Sequence, residues 1–195
     1  MRKILILFAH PMLHKSRVNQ QLIKTVQGLK NVTVNNLYEQ YPDFFIDVRH
    51  EQDLLLAHDI IIWHHPFYWY SAPAMIKEWF DLVLEHGFAY GRDGNALEGK
   101  TAMTCITTGG RDQTYQSNGL NRFPIRDFLL PFNQSAHLCK MDYLPPFVVH
   151  GAHLLDEMAI AERCKNYKCV LEFLRDGDLS GVRNSKEAYM NQLIT

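Results

Sequence analysis

Three stretches of this chain carry residues that could act on one ligand. The first is His10 followed by Ser16-Arg17-Val18-Asn19, where a serine opens an apolar-periodic helix. A helix start offers free N–H groups and the positive end of the dipole, so it binds phosphate readily; Ser16, Arg17 and Asn19 add a hydroxyl, a cation and an amide. The second is Pro66-Phe67-Tyr68-Trp69, continued by Tyr70. Four rings directly behind a proline are hard to bury together, so some of them are expected to line a planar ligand. The third is Thr107-Thr108-Gly109-Gly110, with Tyr115 five residues later. Its small side chains expose consecutive backbone N–H groups, a nest that can approach a heteroaromatic edge and donate to a carbonyl gaining negative charge.

For these stretches to meet, each must leave a strand on the same side of one sheet. Ile4 to Phe8 is a continuous apolar run and reads as a central strand. The helix after it carries Val18, Leu22, Val26 and Leu29 on one face. Val32 to Leu37 alternates as a second strand, Tyr38 to Asp47 with Pro42 is a loop, and a short helix covers about 48–57. Ile60 to Trp63 is a third strand, broken at Pro66; Ser71 is expected to cap the next helix, which carries Pro73 in its first turn and Trp79 and Phe80 in the core. Gly87, Gly91, Gly94 and Gly99 mark 85–100 as a long flexible loop. Thr101 to Thr107 is a fourth strand, and 115–138 is partly helical between Pro124 and Pro131. Met141 to His150 is a fifth strand interrupted by Pro145-Pro146, and Leu154 to Leu174 is a helix ended by Gly177 and Gly181. The last dozen residues are polar, so 181–195 are expected to form a peripheral tail.

Strands alternating with helices predict one α/β domain over 1–195, a parallel sheet with right-handed crossovers and helices on both faces. An apolar first strand at the N-terminus fits the order 2-1-3-4-5, although periodicity alone also allows other three-layer orders. The order 2-1-3-4-5 puts the loops after strands one, three and four side by side at the carboxyl ends, where open α/β sheets bind ligands. A phosphate site, an aromatic shelf and a donor nest then describe a pocket for flavin mononucleotide (FMN). The chain has neither Gly-x-Gly-x-x-Gly nor a Walker loop, which disfavours a Rossmann dinucleotide site and a nucleotide triphosphatase.

Composition closes off other classes. A net charge of −1 argues against nucleic acid, which demands a basic face. Cys105, Cys139, Cys164 and Cys169 form no CxxC pair and read as reduced core thiols. No metal is expected, because His64-His65 and His10 with His14 lack a third ligand at useful spacing. The apolar run after Met1-Arg2-Lys3 is too short for a signal peptide, and no run reaches the ~18 residues of a membrane span, so a cytoplasmic protein is expected.

Several motifs stand in order and register: His10-Pro11, Ser16-x-x-Asn19, Tyr41-Pro42-Asp43-Phe44, Pro66-x-x-Trp69-Tyr70-Ser71-x-Pro73, Thr107-Thr108-Gly109-Gly110 with Tyr115, and Pro145-Pro146-Phe147 before His150. In these the chain resembles the flavodoxin-like NAD(P)H:quinone oxidoreductase family. It is most similar to small bacterial members that include the ancillary subunits of glutathione-gated potassium efflux systems. The resemblance implies a flavodoxin-like three-layer sandwich with a five-stranded parallel sheet. It implies that His10, Ser16, Arg17, Val18 and Asn19 hold the flavin's phosphate and ribityl end, and that Pro66, Phe67, Tyr68 and Trp69 flank the isoalloxazine. Thr107, Thr108, Gly109 and Gly110 would cover its edge, with Tyr115 near the same carbonyl; Tyr115, Gly109 and Gly110 are the expected catalytic residues. In larger mammalian relatives a histidine follows that tyrosine by six positions, and here the position is Asn121.

The expected activity is two-electron transfer from NAD(P)H through FMN, or FAD, to a quinone-like acceptor in a homodimer. The alternative is a regulatory subunit held at the inner membrane by a potassium-efflux transporter. A one-electron flavodoxin-type carrier is a third reading, but such carriers are strongly acidic and wrap phosphate in a Ser/Thr/Gly-rich first loop.

Overall fold

β1 (Ile4–Phe8) is buried at every position, as an unbroken apolar run requires of a strand covered on both faces. The computed structural model describes residues 1–183 and 188–194. It sets β1 between β2 (Val32–Asn36) and β3 (Ile60–Pro66), parallel to both. β4 (Thr101–Thr107) pairs with β3 along its whole length, and the short strands β5 (Asp142–Tyr143) and β6 (Phe147–Val149) share its far edge. The order β2-β1-β3-β4-β5, with β6 also beside β4, is the expected parallel arrangement. The fifth strand divides in two because Pro145 and Pro146 have no N–H to give the ladder, which resumes at Phe147 opposite Cys105.

In chain order the helices are α1 (Arg17–Val26), α2 (Leu37–Gln40), α3 (Val48–Ala57), α4 (Ala74–Val83), α5 (Ile125–Phe128), α6 (Leu130–Leu138), α7 (Glu157–Asp176) and α8 (Ser180–Arg183). The alternation of β1 sorts the core into two layers. Ile4, Ile6 and Phe8 meet α1 and α7, whereas Leu5 and Leu7 meet the layer containing Leu55 of α3, Trp79 of α4 and Phe132 of α6.

Several boundaries differ from the expectation. β3 runs on through His64, His65 and Pro66; proline is tolerated as its last residue, and the next N–H, of Phe67, donates to Thr107 O at 2.8 Å. α4 begins only at Ala74, with Pro73 in the capping position and no side-chain cap. Ser71 instead closes a tight turn, donating its N–H to Tyr68 O at 3.0 Å. β2 stops at Asn36, and Leu37 begins a helical turn where a loop was expected from Tyr38. α1 ends at Val26, short of Leu29, and Gly28 takes a φ of +79°. α7 starts at Glu157, where the Asp156 side chain accepts the Ala159 N–H at 2.8 Å. Residues 85–100 form no helix, but Ala89 and Leu97 are fully buried, so this segment is packed down and not a free loop.

The tail is also anchored where it is described; 184–187 and 195 lie outside the described residues. Met190 is fully buried, and the Asn191 side chain pairs with both the N–H and the C=O of Val148, each at 2.9 Å. That amide occupies edge hydrogen-bonding groups of β6 which would otherwise stand open.

One polar group sits deep in the layer under β2. Glu51 of α3 is fully buried and accepts from Asn35 Nδ2 at 2.7 Å, Tyr41 OH at 2.8 Å and Trp79 Nε1 at 2.8 Å. It thereby ties α3 to β2, to the Tyr-Pro-Asp-Phe segment and to α4. The four cysteines are free thiols. Among the described residues no helix is long and apolar enough to cross a membrane.

Candidate functional site

A cleft of about 600 Å³ opens where β1, β3 and β4 end. Its first wall is the start of α1, with His10, Ser16, Arg17, Val18 and Asn19. Ser16 Oγ caps the helix by accepting the Asn19 N–H at 3.3 Å, and it also accepts Asn19 Nδ2 at 2.9 Å. The same Nδ2 reaches across the sheet to Thr107 Oγ1, 2.9 Å away. The N–H groups of Arg17 and Val18, as the first two of the helix, have no intrahelical acceptor. His10 Nδ1 accepts the Met12 N–H at 3.1 Å, which leaves its Nε2 as the proton-bearing nitrogen; burial holds its pKa below the ordinary value.

The charge at this wall is not the one the sequence suggests. Arg17 is paired with Glu157 Oε1 at 2.7 Å, across to α7, so its guanidinium is already engaged. Lys15 lines the cleft directly. It was missed, although a cation immediately before a capping serine is a readable signal.

The second wall is Pro66, Phe67 and Tyr68. Phe67 is buried against Tyr70, Tyr115 and Phe128 at centroid distances of 6.3, 5.9 and 5.6 Å. Tyr70 stacks on Phe128 at 5.3 Å. Trp69 points away: it is 93% exposed and lies outside the cleft lining, contrary to its expected place on the isoalloxazine. The cause is the backbone. Trp69 and Tyr70 take φ values of +51° and +61°, the paired left-handed geometry of a two-residue turn that usually holds asparagine and glycine.

The third wall is Thr107, Thr108 and Gly109. The Thr108 N–H donates to Val149 O at 2.9 Å, whereas those of Gly109 and Gly110 have no protein acceptor among the described residues. Gly110 and Tyr115 stand behind this wall and do not line the cleft. A Cβ on Gly110 would lie 2.6 Å from Thr114 Oγ1 and 3.1 Å from Tyr115 Cε2, so only glycine lets the tyrosine pack there. Burial raises the pKa of the Tyr115 hydroxyl.

Asn121 is taken up elsewhere, donating to Thr114 Oγ1 at 3.2 Å and accepting from Tyr70 OH at 3.4 Å. A histidine does stand beside Tyr115, but from the end of β6. The His150 ring lies 5.6 Å from the Tyr115 ring, with Nδ1 3.2 Å from Thr108 Oγ1 and Nε2 3.1 Å from Asp112 Oδ1. Tyr189 OH donates to the same carboxylate oxygen at 3.3 Å. Sequence spacing could not find this pairing, since 38 positions separate Asp112 from His150. Burial pushes the His150 pKa down, the Asp112 carboxylate pulls it up, and Arg163 lowers it further. Asp112→Asn removes the raising charge, so the His150 midpoint is expected to fall in an NMR titration of its ring protons. An unchanged or higher midpoint would contradict the assignment.

A second cavity, of about 580 Å³, lies between α4 and α6 with Phe80, Leu84, Phe132 and Leu138 on its walls. None of the three stretches enters it. Among the described residues no cluster of His, Cys, Asp and Glu could hold a metal ion.

The donor set decides what the main cleft suits. The N–H groups of Arg17 and Val18, His10 and Lys15 lie at the α1 end, and Gly109, with an N–H that has no protein acceptor among the described residues, lines the other side. Such a site fits a phosphate ester at one end and a ligand with polar carbonyl edges at the other.

The family model of the flavodoxin-like fold matches residues 2–171. The chain is 47% identical over 165 residues to the glutathione-regulated potassium-efflux system ancillary protein KefG of Pectobacterium atrosepticum, a match that spans 85% of this chain and 90% of that protein. Among solved structures, general stress protein 14 of Treponema denticola, crystallised in complex with FMN, superposes with a TM-score of 0.83 at 35% identity, covering 89% of this chain and 99% of that one. An NADPH-quinone reductase from P. pentosaceus superposes with a TM-score of 0.78 at 35% identity, covering 85% of this chain and 95% of that one.

Proposed function

This chain belongs to the flavodoxin-like fold family that includes the KefG ancillary proteins, and on that premise we propose that it is an FMN-dependent NAD(P)H:quinone oxidoreductase. The observation that carries the reading is one cleft in which the donor-rich start of α1 faces the free N–H groups of the Thr-Thr-Gly-Gly turn. The FMN complex of the Treponema denticola relative and the quinone reductase among the structural neighbours support it.

Bound there, FMN supplies the two-electron chemistry between a nicotinamide and a quinone. The protein's part is to hold, orient and stabilise charge. Ser16, Thr107, Lys15 and the first N–H groups of α1 hold the phosphate. Pro66, Phe67 and Tyr68 would flank the ring system, and the Gly109 N–H would donate to a carbonyl edge that gains negative charge, with Gly110 leaving room behind it for Tyr115. Tyr115, backed by Thr108, His150 and Asp112, would keep a proton on its hydroxyl behind the Thr-Thr-Gly-Gly wall.

Protein incubated with FMN and desalted is expected to stay yellow and to oxidise NADPH or NADH when benzoquinone is added. Colourless protein with no nicotinamide oxidation would overturn the proposal.

The KefG relatives favour a second role alongside the first, as an ancillary subunit that meets a potassium-efflux transporter at the inner membrane. Co-purification with such a transporter tests it. We also infer a homodimer. Trp69, Tyr70 and Phe123 form an exposed aromatic surface beside the cleft, and the left-handed turn holds Trp69 outward at a cost of about 1 kcal/mol per strained residue. Trp69→Asn relieves part of that strain and removes the ring. It is expected to weaken self-association in sedimentation runs without lowering the denaturant midpoint, and an unchanged dimer would count against this surface.

A further inference from the structure

His64 is fully buried in β3, and nothing in the function proposed above uses it. Burial, with His65 and His10 nearby, pushes its pKa down to about 3, so it is neutral at neutral pH and must adopt one tautomer. Its Nε2 lies 3.2 Å from Asn19 Oδ1, and its Nδ1 lies 3.3 Å from the hydroxyl of Tyr167 on α7. Tyr167 is itself fully buried, with its hydroxyl against the Cys105 thiol.

Two proton arrangements satisfy this row, and they present opposite faces to the cleft. In one, His64 carries its proton on Nε2 and donates to Asn19 Oδ1. Asn19 Nδ2 then gives its two protons to Ser16 Oγ and Thr107 Oγ1, each at 2.9 Å. Ser16 Oγ also accepts the Asn19 N–H, so both its lone pairs are filled and only its O–H is left to offer. Thr107 likewise keeps its O–H for the cleft. In the other arrangement the amide is flipped, both hydroxyl protons turn inward to Asn19, and the cleft meets lone pairs.

Tyr167 decides between them. The first lets the phenol O–H donate to an imidazole nitrogen and leaves the weak S–H donor of Cys105 to the phenol oxygen. The second spends the phenol proton on sulfur, a weak acceptor. We propose that His64 and Tyr167 are positioning residues that lock the Asn19 amide, so that Ser16 acts as an obligate hydroxyl donor, and Thr107 keeps its O–H free to donate, toward a phosphate monoester. This rests on the phosphate reading of the α1 end given above.

The direct test needs no flavin. In protein labelled with nitrogen-15 at histidine, NMR is expected to find His64 protonated on Nε2 and bare on Nδ1 at neutral pH; a proton on Nδ1 would overturn the proposal. The second test compares FMN with riboflavin, which lacks the phosphate. Tyr167→Phe deletes only the hydroxyl that fixes the tautomer. It is expected to weaken FMN by about tenfold, the worth of roughly one hydrogen bond, and to leave riboflavin unchanged. Equal weakening of both flavins would mean a merely structural role and would overturn it. Wild-type protein that binds neither flavin would refute the flavin reading, and the tautomer alone would then decide the proposal.

Discussion

Glu51→Ala is expected to cost the fold about 4 kcal/mol, because it leaves three buried donors without an acceptor at about 1–3 kcal/mol each, set against the relief of no longer burying a carboxyl group. Asn35 Nδ2, Tyr41 OH and Trp79 Nε1 all donate to that side chain. For a chain of this length the loss corresponds to a melting temperature lower by roughly 8–16 °C. Glu51→Gln separates lost acceptors from lost volume. Its amide oxygen serves some of the donors while its NH2 faces another, so a loss of about half that size is expected. The consequence reaches the cleft, since Trp79 lies on the helix that follows the aromatic turn. Glu51→Ala protein as stable as wild type would show that the three hydrogen bonds are not what holds α3, β2 and α4 together.

Gly110→Ala is expected to lower kcat/KM by about 10², with far less effect on FMN affinity. The added Cβ would lie 2.6 Å from Thr114 Oγ1, 3.1 Å from Tyr115 Cε2 and 3.3 Å from the Tyr115 hydroxyl. Thr114 cannot yield freely, because its hydroxyl donates to Arg111 O at 2.7 Å and accepts from Asn121. Tyr115 must therefore move, and with it the hydroxyl that His150 and Thr108 back up. Circular dichroism should confirm the fold, and the phosphate end of the cleft lies on α1, out of reach of the change. Turnover close to wild type would remove Tyr115 from the catalytic account.

The sheet was legible because its strands are short apolar runs whose ends are marked by loop residues, and because strands that alternate with helices leave few connections. Ser16 was legible as a cap from its place before an apolar-periodic helix. Thr107 to Gly110 was legible from small residues at a strand's end. What escaped the sequence depends on contacts between distant segments. Trp69 reads as a stacking ring, yet a turn closed between Tyr68 and Ser71 forces it outward. His150 and Asp112 meet only because β6 lies beside β4. Glu51 is not singled out by the sequence, because only the approach of Tyr41 and Trp79 makes it a buried acceptor. The polar tail reads as peripheral, but the Asn191 amide pairs with β6, Met190 is buried and its N–H donates to Pro146 O, and Tyr189 OH reaches Asp112.

The central claim is that this cleft holds FMN for two-electron exchange between a nicotinamide and a quinone. An anaerobic titration of FMN-loaded protein addresses it most directly. One equivalent of NAD(P)H per flavin is expected to bleach the flavin absorbance in a single step, and one equivalent of benzoquinone to restore it. A flavin that NAD(P)H leaves coloured, or that passes through an accumulating one-electron state, would contradict the claim.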